Sequence, residues 1–378
     1  MTVIGISGSY GGLNVGDEAI LASALAQLRD AVPGVELVVF SRDAAHTRAH
    51  LPADRVVPTR GLSRDEVLPE IVRLDLFLLG GGGLLYDGEA YAYLRDVRLA
   101  QSVGVPTMAY AIGAGPLTRP DERKLVRDAL RGMARITVRE PQAKRLLEEV
   151  GVDEEVIVTA DPALLLAPEP FTCEMLRREG VPEGRHLVGM SVREPGWAAP
   201  NLGETYHELV ANAADFIAER FDADVLFVPM ERDDIRHAHR VIAQMSAPHR
   251  GYVLKRTYPP RQVLGLMEHL DFAVGMRLHF LIFAALSCVP VIALPYAPKV
   301  AGFLEKLRLP ARVPVHEDRP GPLLAQIDHL WDRRGEARQM LRSRLPELQA
   351  HARRTTALAV EVLADRPHRG VAAIRPAG

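Results

Sequence analysis

Between Asp271 and Lys299 the chain reads DFAVGMRLHFLIFAALSCVPVIALPYAPK, and few folds can accept such a stretch. Asp271–Met276 is an apolar run of buried-strand length. Phe280–Cys288 is apolar nearly all round, as a helix buried on every side must be. Val289–Leu294 is a second buried strand, rich in β-branched residues. The joints of this strand–helix–strand unit are cationic. Arg277 and His279 lie where the first strand meets its helix, and Lys299 follows Pro298, a residue suited to a helix's first turn. Helix N-termini carry partial positive charge and prefer acidic neighbours. Cations there fit an anion held between them, gripped by backbone N–H groups and side chains together. They also fit plain pairing of Arg277 and Lys299 with carboxylates, with His279 a satisfied core histidine. This stretch alone leaves both readings open.

The same alternation runs through the rest of the chain. Val3–Ser7 reads as a strand, followed by the glycine-rich turn SGSYGGLNVGDEAI and a helix from about Asp17 to Ala31. Asp17 is placed to cap that helix and Glu18 to suit its dipole. A functional reading has Asn14, Asp17 or Glu18 hydrogen-bonding sugar hydroxyls. The glycine spacing is neither the dinucleotide fingerprint nor a P-loop. Further strands are predicted at 35–40, 74–79, 105–112, 136–138 and 156–159, with helices at 63–73, 90–103, 121–133 and 141–150. The run GGGGLLYDG, Gly80 to Gly88, follows a buried strand. Four glycines are costly in backbone entropy, so backbone must pass close to a ligand or a neighbouring helix. Ligands of such sheets sit at strand carboxyl ends, which favours the ligand and makes Gly82 and Tyr86 candidate contacts. GAGPL, Gly113 to Leu117, is another glycine turn at a strand's end.

The chain's 378 residues exceed one ordinary core, so two domains are expected. Residues 167–185 carry three prolines and little strand character, and the boundary belongs there. The reading is therefore residues 1–175, a second domain at 176–320, and C-terminal helices and tail at 321–378. In the second domain strands are predicted at 187–192, 224–230, 252–255, 271–276 and 289–294, with helices starting near Tyr206, Asp234, Pro260 and His279. Residues 323–363 read as helix, charged on one face and able to cross back over the first domain, and 366–378 as a frayed end. The fold class is α/β: two facing Rossmann-type, doubly wound parallel sheets. Their strand carboxyl ends would face one interdomain cleft, with Arg139 on one side and Arg193 and Arg277 on the other.

Charge narrows the function. Lys plus Arg (46) nearly balance Asp plus Glu (48), which argues against nucleic acid as a partner. Cys173 and Cys288 sit in apolar settings without metal-ligand spacing and read as buried free thiols of a reducing compartment. His237 and His239 read as an exposed helix face, and no metal site is expected. With no secretory signal and no bilayer-length apolar run, the expected location is the cytoplasm, with docking at the membrane's inner face left open.

GGLNVGDEAI, LLGGGGLLYD, IGAGPL, TVRE, ADPALLL, MRLHF and PYAPK, in this order from residue 11 to about 299, resemble the polysaccharide pyruvyl transferases. The set looks closest to the CsaB type, which acts on cell-wall polysaccharide precursors. GGGG or ADPA alone is weak; the ordered set, with MRLH followed by PYAPK, is specific. The resemblance implies a GT-B-like fold and transfer of the pyruvyl unit of phosphoenolpyruvate onto a sugar as a cyclic ketal. It implies no cofactor, phosphoenolpyruvate being a substrate. It places phosphoenolpyruvate on Arg139 of TVRE, on Arg277, Leu278 and His279 of MRLHF, and on Lys299 of PYAPK. For CsaB-type members it implies a lipid-diphosphate-linked saccharide acceptor ending in N-acetylmannosamine; other members act on galactose, glucose or mannose.

The chemistry suits these residues. Phosphate and carboxylate on one small molecule call for several cations. Ketal formation needs a group that gives and takes protons near neutral pH, the role expected of His279. Asp17 and Glu18 are candidate bases for the acceptor hydroxyls, with Asn14, Gly82 and Tyr86 as acceptor contacts. The competing expectation is a GT-B glycosyltransferase with a nucleotide-sugar donor, which fold alone does not separate from the first. A non-enzymatic sugar-binding protein is a third reading, disfavoured by the intact basic residues.

Overall fold

The computed structural model describes residues 1–194, 205–294, 298–307 and 320–365. The first sheet holds β1 (Val3–Ser7), β2 (Glu36–Ser41), β3 (Arg55–Pro58), β4 (Leu76–Leu85), β5 (Thr107–Ala114), β6 (Arg135–Val138) and β7 (Val156–Val158). Its order is β3-β2-β1-β4-β5-β6-β7, parallel at every pairing. The second sheet holds β8 (His186–Ser191), β9 (Ala223–Phe227), β10 (Gly251–Val253), β11 (Phe272–Gly275) and β12 (Val291–Ala293). Its order is β10-β9-β8-β11-β12, again all parallel. Such strands are covered by helices on both faces, which is why β1, β8 and β11 carry apolar residues where an antiparallel strand would alternate. In each sheet the winding reverses once, between β1 and β4 and between β8 and β11. Those switch points open a crevice at the strand carboxyl ends.

The expected alternation is present, and its departures have local causes. Ala44–His50 forms a short helix and Arg55–Pro58 an edge strand, both too short and polar to stand out by periodicity. The run Gly80–Gly83 is not a loop: it extends β4, with Gly80 opposite Tyr110 and Gly82 opposite Ile112. A Cβ on Gly80 would overlap the Tyr10 hydroxyl, and one on Gly81 would overlap Ile20. At these two positions the glycines admit neighbouring protein, not ligand. Asn14, not Asp17, caps the helix Val15–Ala31, its side chain accepting from Gly16 N and Asp17 N. Cys173 is exposed and Cys288 half-buried, against the expectation of two buried thiols. Cys173 opens a short helix that carries Glu174, Arg177 and Arg178. His237 is also misread. It is 3% exposed, stacked on His207 and within 2.7 Å of the Tyr206 hydroxyl, while His239 is exposed.

The C-terminal region is two helices, Gly321–Asp332 and Arg334–Ala364. The longer one does cross back. Its Leu341, Leu345 and Leu348 lie in the second domain's core, and its Leu358, Ala359 and Val362 pack with Ile4, Ile6 and Leu78 of the first. Polar pins fix the register of the crossing: Thr356 Oγ1 lies 2.6 Å from the Tyr110 hydroxyl, and Thr355 Oγ1 donates to Thr159 Oγ1 at 2.8 Å. Residues 366–378 lie outside the described residues. Among the described residues no helix is long and apolar enough to cross a membrane.

Candidate active site

The two switch points face each other across a cleft of about 880 Å³. Ser9, Gly12, Asn14 and Asp17 reach it from the loop after β1 and the helix Val15–Ala31; Gly83 and Tyr86 come from the end of β4. Arg139 and Glu140 follow β6. From the second domain come Arg193 after β8, Met230 and Glu231 after β9, and Arg277, Leu278 and His279 after β11, with Lys299 from the helix Pro298–Leu307. The walls are tied directly. Val15 N donates to Met230 O at 2.9 Å, and the Asn14 amide donates to Glu231. Lys306 Nζ donates to Arg139 O at 2.5 Å and Thr159 O at 3.2 Å, stapling the second domain to the ends of β6 and β7. Burial holds the Lys306 ammonium below its ordinary pKa.

His279 stands at the meeting of two helix N-termini. Its ring lies on the backbone of Gly16, where a Cβ would overlap Nδ1 and Cγ. Only glycine leaves that space. On the other side His279 Nε2 is 3.4 Å from Asp161 Oδ2. The same oxygen accepts from Arg139 Nη1 at 2.7 Å, and Asp161 Oδ1 accepts from Ala163 N at 3.0 Å. Burial alone would raise the Asp161 pKa; Arg139 and His279 more than reverse it and hold the carboxyl well below the usual carboxylate range. An ionised Asp161 therefore joins a cation of its own domain to the imidazole of the other. Burial similarly opposes the charge of Arg139, and Glu140 and Asp161 outweigh it, raising that pKa. Arg139 Nε lies 3.4 Å from Glu140 Oε2. Among the described residues neither Arg139 Nε nor His279 Nε2, both buried, completes a hydrogen bond.

Arg277 is arranged otherwise. Its Nε and Nη2 donate to Asp234 at 2.9 and 2.6 Å, and Nη2 donates to Glu231 at 2.7 Å. This is the carboxylate pairing that the sequence left as one of two alternatives. Burial would raise the Glu231 pKa, and Arg277 reverses it; for Asp234 burial wins despite Arg277.

Of the candidate residues, Asn14, Asp17, Tyr86, Arg139, Arg277, Leu278, His279 and Lys299 all line this cleft. Glu18 does not. It is buried, Oε1 accepts from Gly11 N at 2.7 Å, and burial pushes its carboxyl up to about 7. Gly82, with φ of 102°, sits behind Asp17, and Gly83 faces the cleft in its place. Burial raises Asp17 as well, against the pull of His279 and Arg139. Sequence reasoning missed Asp161, Gly16, Arg42 and the pair Glu231–Asp234. For Asp161 the signal was the ADPA motif, noted there without a role. Among the described residues no three His, Cys, Asp or Glu side chains are grouped to hold a metal ion.

Solved structures share this architecture. UDP-GlcNAc 2-epimerase from Neisseria meningitidis, bound to UDP-GlcNAc, aligns with a TM-score of 0.60 at 13% identity, covering 97% of this chain and 100% of that one. The UDP-GlcNAc 2-epimerase of Methanocaldococcus jannaschii gives 0.59 at 12% identity, covering 87% and 92%. The E. coli ADP-heptose lipopolysaccharide heptosyltransferase II gives 0.52 at 14% identity, covering 88% and 99%. At such identity the likeness shows the fold alone, a GT-B arrangement of two Rossmann-like domains. No curated protein is significantly similar in sequence. The family model for polysaccharide pyruvyl transferase matches residues 14–298, a span that contains every candidate residue of the cleft from Asn14 onward except Lys299, which follows it directly. The chain thus belongs to the polysaccharide pyruvyl transferase family and is an enzyme of that transferase class.

Proposed function

We propose that the cleft binds phosphoenolpyruvate against Arg139, His279 and Lys299 and transfers its pyruvyl unit to two hydroxyls of a saccharide, forming a cyclic ketal. One observation carries this reading: Arg139 Nε and His279 Nε2, one from each domain, are buried nitrogens whose carboxylate neighbours, Glu140 and Asp161, stand at 3.4 Å without completing a hydrogen bond, in the cleft that Lys299 also lines. Buried donors left unmet cost free energy unless a ligand meets them. A small dianion with phosphate and carboxylate oxygens is such a ligand. Leu278 supplies an apolar surface beside it, and Arg277, locked by its carboxylates, a fixed wall.

His279 gives its proton to the methylene carbon, which becomes a methyl group, and charge develops at the neighbouring carbon. Asp161 orients the imidazole and stabilises its protonated form before the transfer. A sugar hydroxyl attacks the central carbon and loses its proton to Asp17, whose burial-raised pKa makes it a stronger base. The bond to the phosphate oxygen breaks, and phosphate leaves with the electron pair beside Arg139 and Lys299. A second hydroxyl closes the ring, and its proton returns to His279. The proton taken by His279 replaces the one spent on the methyl group, and the one taken by Asp17 passes to the departing phosphate.

The test is incubation with phosphoenolpyruvate and a panel of saccharides, read by mass spectrometry for an added pyruvyl unit and by phosphate release. A parallel thermal titration compares phosphoenolpyruvate with nucleotide sugars. Stabilisation by a nucleotide sugar, with none by phosphoenolpyruvate, overturns the proposal in favour of a glycosyltransferase. The acceptor class, including lipid-diphosphate-linked saccharides, and any association with a membrane surface belong to the same panel.

A further inference from the structure

Arg42 lines the cleft on the first domain's side, and neither the motifs nor the proposed chemistry uses it. It follows β2 directly, so it stands at a strand's carboxyl end beside the switch point. In dinucleotide-binding sheets this is where a side chain reads the ligand lying over the sheet: an acid for ribose hydroxyls, an arginine for a phosphate. The backbone N of Arg42 donates to Tyr10 O at 3.0 Å, and Nη2 donates to the Tyr93 hydroxyl at 3.2 Å. Its guanidinium lies over the turn at Gly12, where a Cβ would come within 3.2 Å of Nη1. Thus the side chain is half-buried and held in place, not a loose surface arginine.

Its charge sets it apart. Arg139 is paired with Asp161 and Glu140, and Arg277 with Asp234 and Glu231. Arg42 pairs with no carboxylate among the described residues; its hydrogen-bond partner is a neutral phenol. Elsewhere on the same cleft the wall is open. A Cβ on Gly83 would meet nothing within 4 Å, and Tyr86, near enough to Arg42 to feel its charge, lines the cleft too. A held, uncompensated guanidinium, a tyrosine and a bare glycine wall match a sugar carrying negative charge.

We infer that Arg42, with Gly83 and Tyr86, forms a second anion subsite that binds an acidic group on the acceptor saccharide, distinct from the phosphoenolpyruvate site around His279. The acceptor is then a charged sugar, either a sugar phosphate ester or a uronic acid. This rests on the proposed function only in that the rest of the cleft holds a saccharide.

The experiment uses the full chain and its Arg42→Gln variant in calorimetric titrations. The probes are phosphoenolpyruvate, a sugar 1-phosphate, the matching uronic acid and the matching neutral methyl glycoside; the acidic sugars are titrated with phosphoenolpyruvate present. The expected result is that Arg42→Gln weakens one acidic sugar at least about tenfold, the size of a lost charge-assisted contact. The phosphoenolpyruvate constant should move by less than about threefold, since that ligand sits elsewhere in the cleft. Whichever acidic sugar responds names the group as phosphate or carboxylate. Equal weakening of phosphoenolpyruvate and sugar would place Arg42 in the first anion site and overturn the inference. So would an unchanged constant for both acidic sugars. Failure of phosphoenolpyruvate to bind the wild-type chain would sink the pyruvyl-transfer reading instead; the sugars, titrated alone, still report on Arg42.

Discussion

Arg139 and Arg277 stand just past strand carboxyl ends, one in each domain. Each follows a short parallel strand, each lines the cleft, and each is buried, with 4% and 8% of its surface exposed. Their partners differ. Arg277 is closed on itself: Asp234 and Glu231, both of its own domain, take three hydrogen bonds from it. Arg139 is open. Its Nε completes no hydrogen bond, and its carboxylate Asp161 is shared with His279 from the opposite domain. Two arginines that look interchangeable in a motif are therefore assigned different work. The closed network holds a wall; the open one couples a cation, a carboxylate and an imidazole across the cleft.

The strongest way to break that contrast is Arg277→Met. Removing one partner of a buried ion pair leaves uncompensated charge and costs about 3–5 kcal/mol. Denaturant unfolding should show this loss, accompanied by a smaller change in phosphoenolpyruvate affinity. Undiminished stability with abolished affinity would show that Arg277, not Arg139, is the ligand's arginine.

Gly16→Ala acts on the open side without removing any charge. The new methyl group overlaps the His279 ring, so the ring must turn away from Asp161. A displaced proton donor costs about 10²–10⁴ in turnover, whereas alanine favours the helix it joins. Turnover should fall by about a thousandfold while the melting temperature holds within a few degrees. Normal turnover in this variant would remove His279 from the mechanism.

Asp161→Asn sharpens the comparison at lower amplitude. The amide keeps the size of the carboxylate and its contact with Ala163 N, but it loses the charge that faces Arg139 and His279. Turnover should drop by about a hundredfold, with a stability loss of about 1–3 kcal/mol, smaller than for Arg277→Met because Glu140 still faces Arg139. A stability loss as large as that of Arg277→Met, with turnover intact, would make the open network merely structural.

How much of this was legible in the chain depends on distance. The two sheets follow from apolar runs and helical spacing, local signals read within one window. The glycine run at 80–83 was legible as a demand for close approach, but not as to what approaches: Tyr10 and Ile20 come from a different loop and helix. The cleft's motif residues could be named, yet their roles could not be told apart. Asp161 meets Arg139 across 22 residues and His279 across the interdomain gap. Asp234 meets Arg277 across 43. No spacing rule ties such pairs together. Burial of His237 was hidden for the same reason, because His207 and Tyr206, its neighbours in the fold, lie a helix away in the chain.

Glu18 offers the smallest effect and the cleanest control, because it touches neither arginine network. In the folded chain its carboxyl is pushed by burial from 4.5 up to about 7, and Oε2 has no hydrogen-bond partner among the described residues. The unfolded chain releases this proton near the lower value. Between the two, the unfolded state binds fewer protons than the folded one, so Glu18 makes stability fall as pH rises from about 4.5 to 7. The gap amounts to roughly 3 kcal/mol. Glu18→Gln keeps an oxygen for Gly11 N and removes the titration. The variant should differ little from the wild type at pH 5 and exceed it by roughly 3 kcal/mol at pH 8, measured as unfolding free energy at each pH. An equal difference at both pH values would show that the carboxyl is not held protonated, and loss of turnover at constant stability would return Glu18 to the acceptor side of the cleft.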